Sequence, residues 1–465
     1  MASRYSHAVA LALLAACSHH PVDESQQPTG DDPGVGSDPG TVDNGTVPDA
    51  GPVTDAGPGT GSDAGPGTGS DAGPGTGSDG GPAPGGGDAG DGGTPVAACP
   101  IGAATFTVKL GVAFQGQGGD LAVDSAGNVL FATAGRTSSD VTGITKLSPS
   151  GDVLYTRPFG SVVATDRAGN AYIAGAFSSP LDVGLGVMQP DGNVDVFVAK
   201  LDAAGNVVFA VPLRLCGDGV QSIAVDASGR IAVSGTAMGT AVLSPTGEIL
   251  FVVPLAGDVA FNSRDDLIIA GSGATTIDLG DGPIDATNDG YVIELDSAGK
   301  RIFSQLLVGN GVHTTSVAVD SKDDIVVVGY AHSIVLFGDA FQSHVIEGSE
   351  IGGGYVVKLD ASGQLVWKNG FGTTEHNAVT VDASDNIVIA GADTGNLGFR
   401  RLTELVKVDP ADAPLFTKTD FPATGYGRGV SVATDACGSV YTAVLAVDTL
   451  GLPSPVSANI VKVAP

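Results

Sequence analysis

Basic residues are scarce in this chain of 465 residues, which has 21 Lys and Arg against 51 Asp and Glu and a formal net charge of −30. Nucleic acids and anionic membrane surfaces repel such a charge, so neither is expected as a direct partner. The apolar run near the N-terminus, "AVALALLAA" at 8–16, is too short to span a bilayer as a helix. Glycine is abundant instead, with 71 copies, and it favours turn-rich β structure over helix.

The N-terminus has the features of an export signal, with Arg4 as the positive charge and residues 8–16 as the apolar core. The stretch "LLAAC", which ends at Cys17, resembles the lipobox of bacterial lipoproteins. This resemblance implies that residues 1–16 are a lipoprotein signal peptide and that acyl chains on Cys17 anchor the protein to a membrane. Ser18 is compatible with sorting to the outer membrane, so the expected location is the outer membrane or cell surface of a Gram-negative bacterium. The alternative is a plain secretory signal with an incidental Cys.

Residues 17–98 are predicted to be a disordered tether rich in Gly, Pro and Asp. Residues 18–98 contain no Lys or Arg, and "DAGPGTGS" recurs in register at Asp55, Asp63 and Asp71. Without bulky apolar side chains the segment cannot bury enough surface to offset its chain entropy. A coil of about 80 residues has a root-mean-square reach on the order of 50 Å, which would hold a folded domain away from a membrane.

The remaining residues, 99–465, repeat one pattern seven times: a short apolar strand, an acidic turn and a second strand. The turn residues are Asp124, Asp166, Asp226, Asn262, Asp320, Asp382 and Asp435. Asp and Asn suit tight turns because the side-chain oxygen accepts a backbone N–H. Seven calcium sites are the alternative, but each turn offers too few oxygens for a cation that takes six to eight. The turns are therefore predicted to be structural.

A second repeated feature is an aromatic residue at a fixed place in a later strand: Tyr155, Phe209, Phe251, Phe303, Trp367 and Phe416. In the first five units a Leu or Phe follows four residues later, on the same face of the strand. The seventh unit, which runs to "NIVKVAP", lacks this strand, whereas "ATFTVKLGV" at 104–112 places Phe106 and Leu110 in the same relation before the first unit. The sequence thus predicts an all-β fold, a seven-bladed β-propeller closed by an N-terminal strand.

The stretches "DVFVAKLDAAGNVVF" and "SVAVDSKDDIVVVG" resemble the SBBP-type β-propeller repeats of bacterial surface proteins, and the resemblance extends over about 106–463. It implies a propeller fold and an extracytoplasmic setting rather than a particular activity. The stretch "VKLDASGQLVW" is also similar to one repeat of quinone-dependent dehydrogenases. That family repeats a Trp in blade after blade, and this chain has only Trp367.

The connections of a propeller lie on two faces, and those on one face, here called the top, differ widely in length. Residues 331–354 form the longest of them. Loops that a rigid scaffold positions often carry function, so a ligand surface is expected there, although neutral variation in loop length would give the same pattern. Four of the seven His residues fall in predicted top loops around the fifth blade, near Glu375: His313, His332, His344 and His376. No pair of them has a recognised metal-ligand spacing, so no metal site is predicted.

The expected function is that of a lipid-anchored surface protein whose top-face loops bind or scaffold a protein or carbohydrate ligand. No cofactor is expected, and the protein is expected to be a monomer. The alternative is an extracytoplasmic propeller enzyme, a lyase or hydrolase that uses the top face. The sequence shows no dinucleotide fingerprint and no Ser or Cys nucleophile with a partnered base, so it favours binding without deciding the question.

Export to an oxidising compartment also bears on the cysteines. Cys437 is in the first turn of the seventh blade, and Cys99 lies a few residues before the strand that completes the same blade. Cys216 falls in a top loop between the second and third blades. A Cys99–Cys437 disulfide and a free Cys216 are therefore predicted.

Overall fold

Every regular element in the described part of the chain is a β-strand. The computed structural model describes residues 107–114, 118–134, 143–192, 194–215, 219–273, 276–279, 282–287, 289–309, 311–331, 336–337, 344–345, 353–371, 374–393, 402–419, 426–447 and 456–463. These residues belong to one compact unit. The predicted signal peptide and tether, together with Cys17, Cys99, Cys216 and His332, lie outside the described residues. No helix within the described ranges has the length and apolar character needed to cross a membrane.

The strands follow one another in groups of four, with short extra hairpins in three of the groups. After β1 (Thr107–Phe114), blade 1 contains β2 (Gly118–Val123), β3 (Val129–Ala134), β4 (Gly143–Leu147) and β5 (Val153–Arg157). Blade 2 contains β6 (Val162–Thr165), β7 (Ala171–Phe177), the hairpin β8 (Leu181–Asp182) and β9 (Val187–Met188), β10 (Asp195–Leu201) and β11 (Val207–Pro212). Blade 3 contains β12 (Ser222–Val225), β13 (Ile231–Gly235), β14 (Gly239–Leu243) and β15 (Ile249–Val253). Blade 4 contains β16 (Asp258–Phe261), β17 (Leu267–Ser272), the hairpin β18 (Thr276–Asp278) and β19 (Pro283–Asp285), β20 (Gly290–Leu295) and β21 (Arg301–Val308).

The remaining three blades continue the same order. Blade 5 contains β22 (His313–Val319), β23 (Ile325–Ala331), β26 (Gly353–Leu359) and β27 (Leu365–Phe371), with β24 (Leu336–Phe337) and β25 (His344–Val345) between β23 and β26. Blade 6 contains β28 (Thr374–Val381), β29 (Ile387–Asp393), β30 (Leu402–Val408) and β31 (Pro414–Lys418). Blade 7 contains β32 (Tyr426–Thr434), β33 (Val440–Val447) and β34 (Val456–Val463).

The blades close into a ring, and β1 completes the last of them as predicted. Blade 7 has the strand order β1-β34-β33-β32, and β1 pairs antiparallel with β34, with Thr107 opposite Val461 and Leu110 opposite Ala458. The first strands of successive blades contact one another in the order β2, β6, β12, β16, β22, β28 and β32, and β32 returns to contact β2. The fold is therefore a seven-bladed β-propeller with its first strands around a central channel.

Apolar packing holds neighbouring blades together. The second and third strands of each blade are almost fully buried, as in the pattern BBBBBiB of β10, because both faces of a blade meet another blade. Each cluster of buried side chains therefore combines two blades; one joins Phe131 of blade 1 to Tyr441 and Ile460 of blade 7.

The repeated aromatic residues connect each blade to the next one at the outer rim. Tyr155 of blade 1 packs on Gly205, in the last turn of blade 2, so closely that a Cβ there would lie 2.8 Å from the ring. Gly205 also has a φ of 84°, a second reason for glycine at this position. The same contact recurs at later blade junctions: Phe209 on Gly247, Phe251 on Gly299, and Phe303 on Gly363. Trp367 of blade 5 instead donates its indole N–H to the carbonyl of Pro410 in blade 6, at 3.0 Å.

The long top connection at 331–354 does not simply extend into solvent. Its hairpin of β24 and β25 pairs with the end of β21, with Leu336 opposite Val308 and Phe337 opposite Leu307. Blade 4 thus becomes a sheet of six strands that includes two from the blade-5 connection. The hairpin covers part of an outer strand edge that would otherwise be open.

Three consecutive blades replace a turn glycine by aspartate. The fourth residue of the first turn is Gly in blades 1, 2, 3 and 7, whereas blades 4, 5 and 6 have Asp265, Asp323 and Asp385 with φ of 61°, 65° and 63°. Each of these carboxylates accepts a backbone N–H from the turn of the preceding blade, namely from Ala227, Ser263 and Ser321. The left-handed backbone costs energy for a residue with a Cβ, and the bonds between blades offset it.

Candidate functional site

The face opposite the top consists of tight turns whose acidic side chains bond within the fold. In blade 1, Oδ1 of Asp124 accepts the backbone N–H groups of Ala126 and Asn128, each at 2.9 Å. The corresponding bonds form in the first turn of the other blades, for example around Asp382 and Asp435. The prediction of structural turns is therefore confirmed.

The second oxygen of these carboxylates faces a lysine from the third strand of the same blade. The ion pairs are Lys146–Asp124 at 2.8 Å, Lys200–Asp166 at 3.5 Å, Lys358–Asp320 at 2.7 Å, Lys407–Asp382 at 2.9 Å and Lys462–Asp435 at 3.9 Å. Lys146 and Asp124 have side chains only 1% and 2% exposed. A buried charge needs such a partner, so these oxygens are committed to the scaffold.

Blades 3 and 4 lack this lysine and meet the same requirement in other ways. Blade 3 has an apolar residue at the position, and Arg230 reaches Asp226 from the turn, with Nε at 2.6 Å from Oδ2. Blade 4 carries Glu294 instead, whose Oε1 accepts bonds from Asn262 and Arg264, both at 2.8 Å. In blades 3 and 4 an arginine of the turn replaces the lysine as the cation, so each of these blades still has an ion pair at this place.

The central channel has a volume of about 470 Å³ and is lined by the first strands of all seven blades. At one level of the channel stands the residue four positions before each turn Asp or Asn. We name these residues the channel ring, and all of them except Val162 line the channel: Asp120, Val162, Ser222, Asp258, Ser316, Ala378 and Ser431. The ring has two polar arcs, in blades 7 and 1 and in blades 3 to 5, separated by Val162 and Ala378.

The five polar members of the channel ring bond to the following blade. Their oxygens accept backbone N–H groups of the next first strand: Asp120 from Val163 at 2.9 Å, Ser222 from Val259 at 3.3 Å, Asp258 from Val317 at 2.8 Å, Ser316 from Val379 at 3.2 Å and Ser431 from Leu121 at 3.1 Å. First strands have one edge without a strand partner, so their N–H groups need other acceptors. The channel ring supplies them and ties the blades together from inside.

The two carboxyl groups of the channel ring have raised pKa values. Burial raises the pKa of Asp120 to about 7. The N–H bonds from Val163 and Leu121 lower this pKa in part, and the negative charge of Asp258 raises it further. Burial also raises the pKa of Asp258, against bonds from Ser222, Val317 and Ser316. No Lys, Arg or His is among the described residues that line the channel, so no cation there offsets these charges.

The structure places the predicted ligand-surface residues on different elements. His313 is the first residue of β22 and is exposed, with its ring stacked on Tyr330 at 4.8 Å between centroids. His344 lies in β25 of the top hairpin. Glu375 and His376 lie in β28 rather than in a loop, because β28 begins at Thr374. Among the described residues, no group of three or more His, Cys, Asp or Glu could hold a metal ion.

His376 is buried, with 1% of its surface exposed, and its Nδ1 lies 3.2 Å from the carbonyl of Tyr355. Burial lowers the pKa of His376 to about 4, although the bond to the carbonyl of Tyr355 by itself raises this pKa. The ring is therefore neutral at pH 7 and packs inside the propeller rather than facing a ligand. Sequence reasoning missed both this burial and the channel ring, whose signal was a polar residue four places before the turn in five of seven repeats.

The similarity of this chain to known proteins is limited to the course of the backbone. No protein-family model and no curated protein matches the sequence. Solved structures similar to the chain include U3-55K, with 12% identity and a TM-score of 0.47 over 77% of this chain and 98% of that one. The WD40 β-propeller domain of Doa1 has 12% identity and a TM-score of 0.42 over 73% and 91%, and the C-terminal WD40 domain of Sif2 has 9% and 0.43 over 74% and 95%. The propeller fold rests on the strand order and the cyclic contacts described above.

We predict that Cys437 pairs with Cys99. Cys437 lies in the first turn of blade 7 and takes part in a disulfide, while Cys99 lies outside the described residues. A bridge closing a loop of this length contributes on the order of 5 kcal/mol in the chain-entropy model. Peptide mapping without reduction should give a joined Cys99–Cys437 peptide, and a Cys437 peptide joined to Cys216 would contradict the assignment.

Proposed function

We propose that the protein is a lipid-anchored surface lipoprotein with SBBP-type repeats, which presents its propeller as a binding or scaffold module through the top-face loops. The observation that carries this proposal is the contrast between the two faces. The described bottom connections are short turns of one kind, each closed by its own aspartate, asparagine or serine. The described top connections range from the three residues between Gly235 and Gly239 to the hairpins β8–β9, β18–β19 and β24–β25.

The chemistry of the bottom face supports the same assignment. Its buried carboxylates are used in turns and in ion pairs with lysine, so they are not available to a ligand without loss of stability. The top hairpin of blade 2 exposes the apolar side chains of Leu185 and Val187, which are 56% and 58% exposed, and the outer strands of the blades expose apolar side chains as well. Exposed apolar residues on a loop held by a rigid scaffold are typical of interaction surfaces.

The location follows from the sequence alone. Cys17 in a lipobox-like stretch supplies the anchor, and residues 18–98, without a single Lys or Arg, supply a polar spacer. Anchor and spacer together would place the propeller at a distance from the membrane, with its loops available to large partners.

The use of the top face is tested by site-specific photo-cross-linking on intact cells. A photoreactive amino acid at Leu185, on the top hairpin of blade 2, is compared with one at Val208, on the outer rim of the same blade. The two positions are matched, being 56% and 55% exposed. We expect several-fold more cross-linked adduct from Leu185, and equal yields from the two positions would contradict top-face binding.

The anchor is tested by Cys17→Ser. We expect the variant to leave the membrane fraction and to keep its signal uncleaved or miscleaved, because the acylation site is gone. The measurement is the distribution between membrane and soluble fractions after a high-salt wash, with unchanged protein as control. A variant that still sediments with the membrane would contradict the lipoprotein assignment without affecting the test of the top face.

A further inference from the structure

The channel ring contains two carboxylates where hydroxyls suffice. Ser222, Ser316 and Ser431 accept the N–H of the next blade as Asp120 and Asp258 do. A serine does so without a charge, whereas a buried carboxylate has a desolvation cost whenever it ionises. The aspartates must therefore add a property that the serines lack, and the chemical difference between them is a titratable proton.

The surroundings of Asp120 contain few charged groups. Its strand packs on β3, β6, β32 and β33. Neither β3 nor β6 has an ionisable side chain, β33 contributes Tyr441, and β32 contributes Tyr426 and Arg428. Across the channel, Asp258 adds a second negative charge.

Asp258 is in a similar position on the opposite wall. Neither β12 nor β17, which pack on its strand, has an ionisable side chain, and β22 contributes His313, three positions before Ser316. Asp258 is also held by hydroxyls on both sides, with Ser222 Oγ at 2.5 Å from Oδ1. The two carboxylates therefore repel each other when both are ionised.

We propose that the channel ring is a proton-sensitive lock, in which the propeller holds blades 7, 1 and 2 together more tightly when Asp120 is protonated than when it is ionised. Asp120 lies in β2, the strand that comes after the closing strand β1, and bonds blade 1 to blade 2 through Val163. Ser431, its neighbour in the ring, bonds blade 7 to blade 1 through Leu121. A change in the charge of Asp120 thus acts at the place where the ring is closed.

The geometry shows where the proton would go. Oδ2 of Asp120 accepts the N–H of Val163, while Oδ1 accepts the N–H of Leu121 at 2.9 Å and a longer bond from the hydroxyl of Ser431 at 3.5 Å. A proton on Oδ1 reverses the direction of the bond with Ser431, so that Asp120 becomes the donor, and leaves the bond to Val163 intact. Protonation therefore keeps the contacts of Asp120 with Ser431 and Val163 and removes both the charge and its repulsion with Asp258.

The sign of the effect on stability follows from linkage. The pKa of Asp120 rises from 3.8 to about 7 on folding, so its stabilising contribution is complete below pH 4 and is lost as the pH rises towards 7. If the pKa of Asp120 has its full shift from 3.8 to about 7, the unfolding constant increases by about a hundredfold between pH 5 and pH 8. We expect at least about tenfold, because Asp120 keeps partial exposure to the channel.

The test is urea unfolding of the full-length protein at pH 5 and pH 8, for wild type and for D120S, which installs the serine of blades 3, 5 and 7. The stability advantage of wild type over D120S should shrink by at least about tenfold in the unfolding constant between the two pH values. Comparison of the two proteins cancels the contribution of His376, which has the opposite sign because its pKa is lowered on folding. An advantage that is the same at both pH values would overturn the proposal.

Two further variants complete the test. Thr165→Val removes a bond of the same blade junction, from Thr165 Oγ1 to the carbonyl of Val123 at 3.0 Å, without removing a titratable group. Its cost should be equal at pH 5 and pH 8. If D120S does not fold, D120N retains the acceptor for Val163, and the carboxyl carbon of Asp120, identified by its absence in D120N, is titrated by NMR in wild type. A midpoint near 7 supports the lock, and a midpoint below 5 overturns it.

Discussion

A chain that begins at Gly111 should unfold at a much lower urea concentration than a chain that begins at Pro95, with a loss on the order of 5 kcal/mol. The longer chain keeps Thr107–Leu110, which pair with residues 458–461 of β34. The shorter chain loses these backbone bonds, at about 1 kcal/mol each, together with the packing of Val108 against the cluster shared by blades 7 and 1. It also leaves the edge of β34 open in a ring that has no other way to close.

The comparison is made under reducing conditions, because the shorter chain also lacks Cys99 and the disulfide predicted for it. The method is urea unfolding followed by far-ultraviolet circular dichroism, which reports the β content of both chains. A synthetic peptide of residues 104–114, added to the shorter chain, should restore part of the lost stability because the vacant edge accepts it. A peptide with the same residues in scrambled order is the control. Equal midpoints for the two chains would contradict closure by β1.

Asp124→Ala should reduce the unfolding free energy by about 3–5 kcal/mol, because it leaves a buried lysine without its anion. Lys146 Nζ lies 2.8 Å from Asp124 Oδ2, and both side chains are almost completely enclosed. After the substitution the ammonium group keeps the carbonyl of Ala203, at 3.1 Å, as a neutral acceptor. The turn also loses the carboxylate that accepts the N–H groups of Ala126 and Asn128.

A matched control separates the buried charge from the turn. Asp409→Ala removes a carboxylate that accepts N–H groups at the same two turn positions, from Ala411 and Ala413, in an exposed turn. Its cost should be clearly smaller in the same urea measurement. The double variant with Asp124→Asn and Lys146→Met should recover most of the stability, because it keeps the turn acceptor and removes the charge. A double variant as unstable as Asp124→Ala would show that the ion pair is not the cause.

The seven blades and their closure could be predicted from the sequence because they depend on local, repeated signals. The turn Asp and the aromatic residue recur at fixed spacing. Residues 104–112 have the spacing of a fourth strand but stand before the first repeat, so they have no preceding strands of their own. The aromatic residues were recognised as markers of a strand, whereas their partners, such as Gly205 for Tyr155, became clear only in three dimensions.

The parts that the sequence did not predict depend on which residues meet across blades. The channel ring has Asp, Ser, Val or Ala at the same position of the repeat, so no constant residue type marks this position in the sequence. The pairing of β24 with β21 involves two residues on each strand and depends on how the long top connection folds back. His376 was expected in a loop, since its neighbours are polar, but the strand β28 begins before it and buries it.

The aspartates in left-handed turn positions affect which blades open together during local unfolding. Asp265, Asp323 and Asp385 connect blades 3, 4, 5 and 6 on the bottom face, and the hairpin of β24 and β25 connects blades 4 and 5 on the top. Blades 7, 1 and 2 have glycine at the corresponding turn position. Local opening follows the least connected part of a structure, so we expect blades 3 to 6 to open together rather than one by one. We expect partial unfolding of the ring to begin outside this arc of four blades.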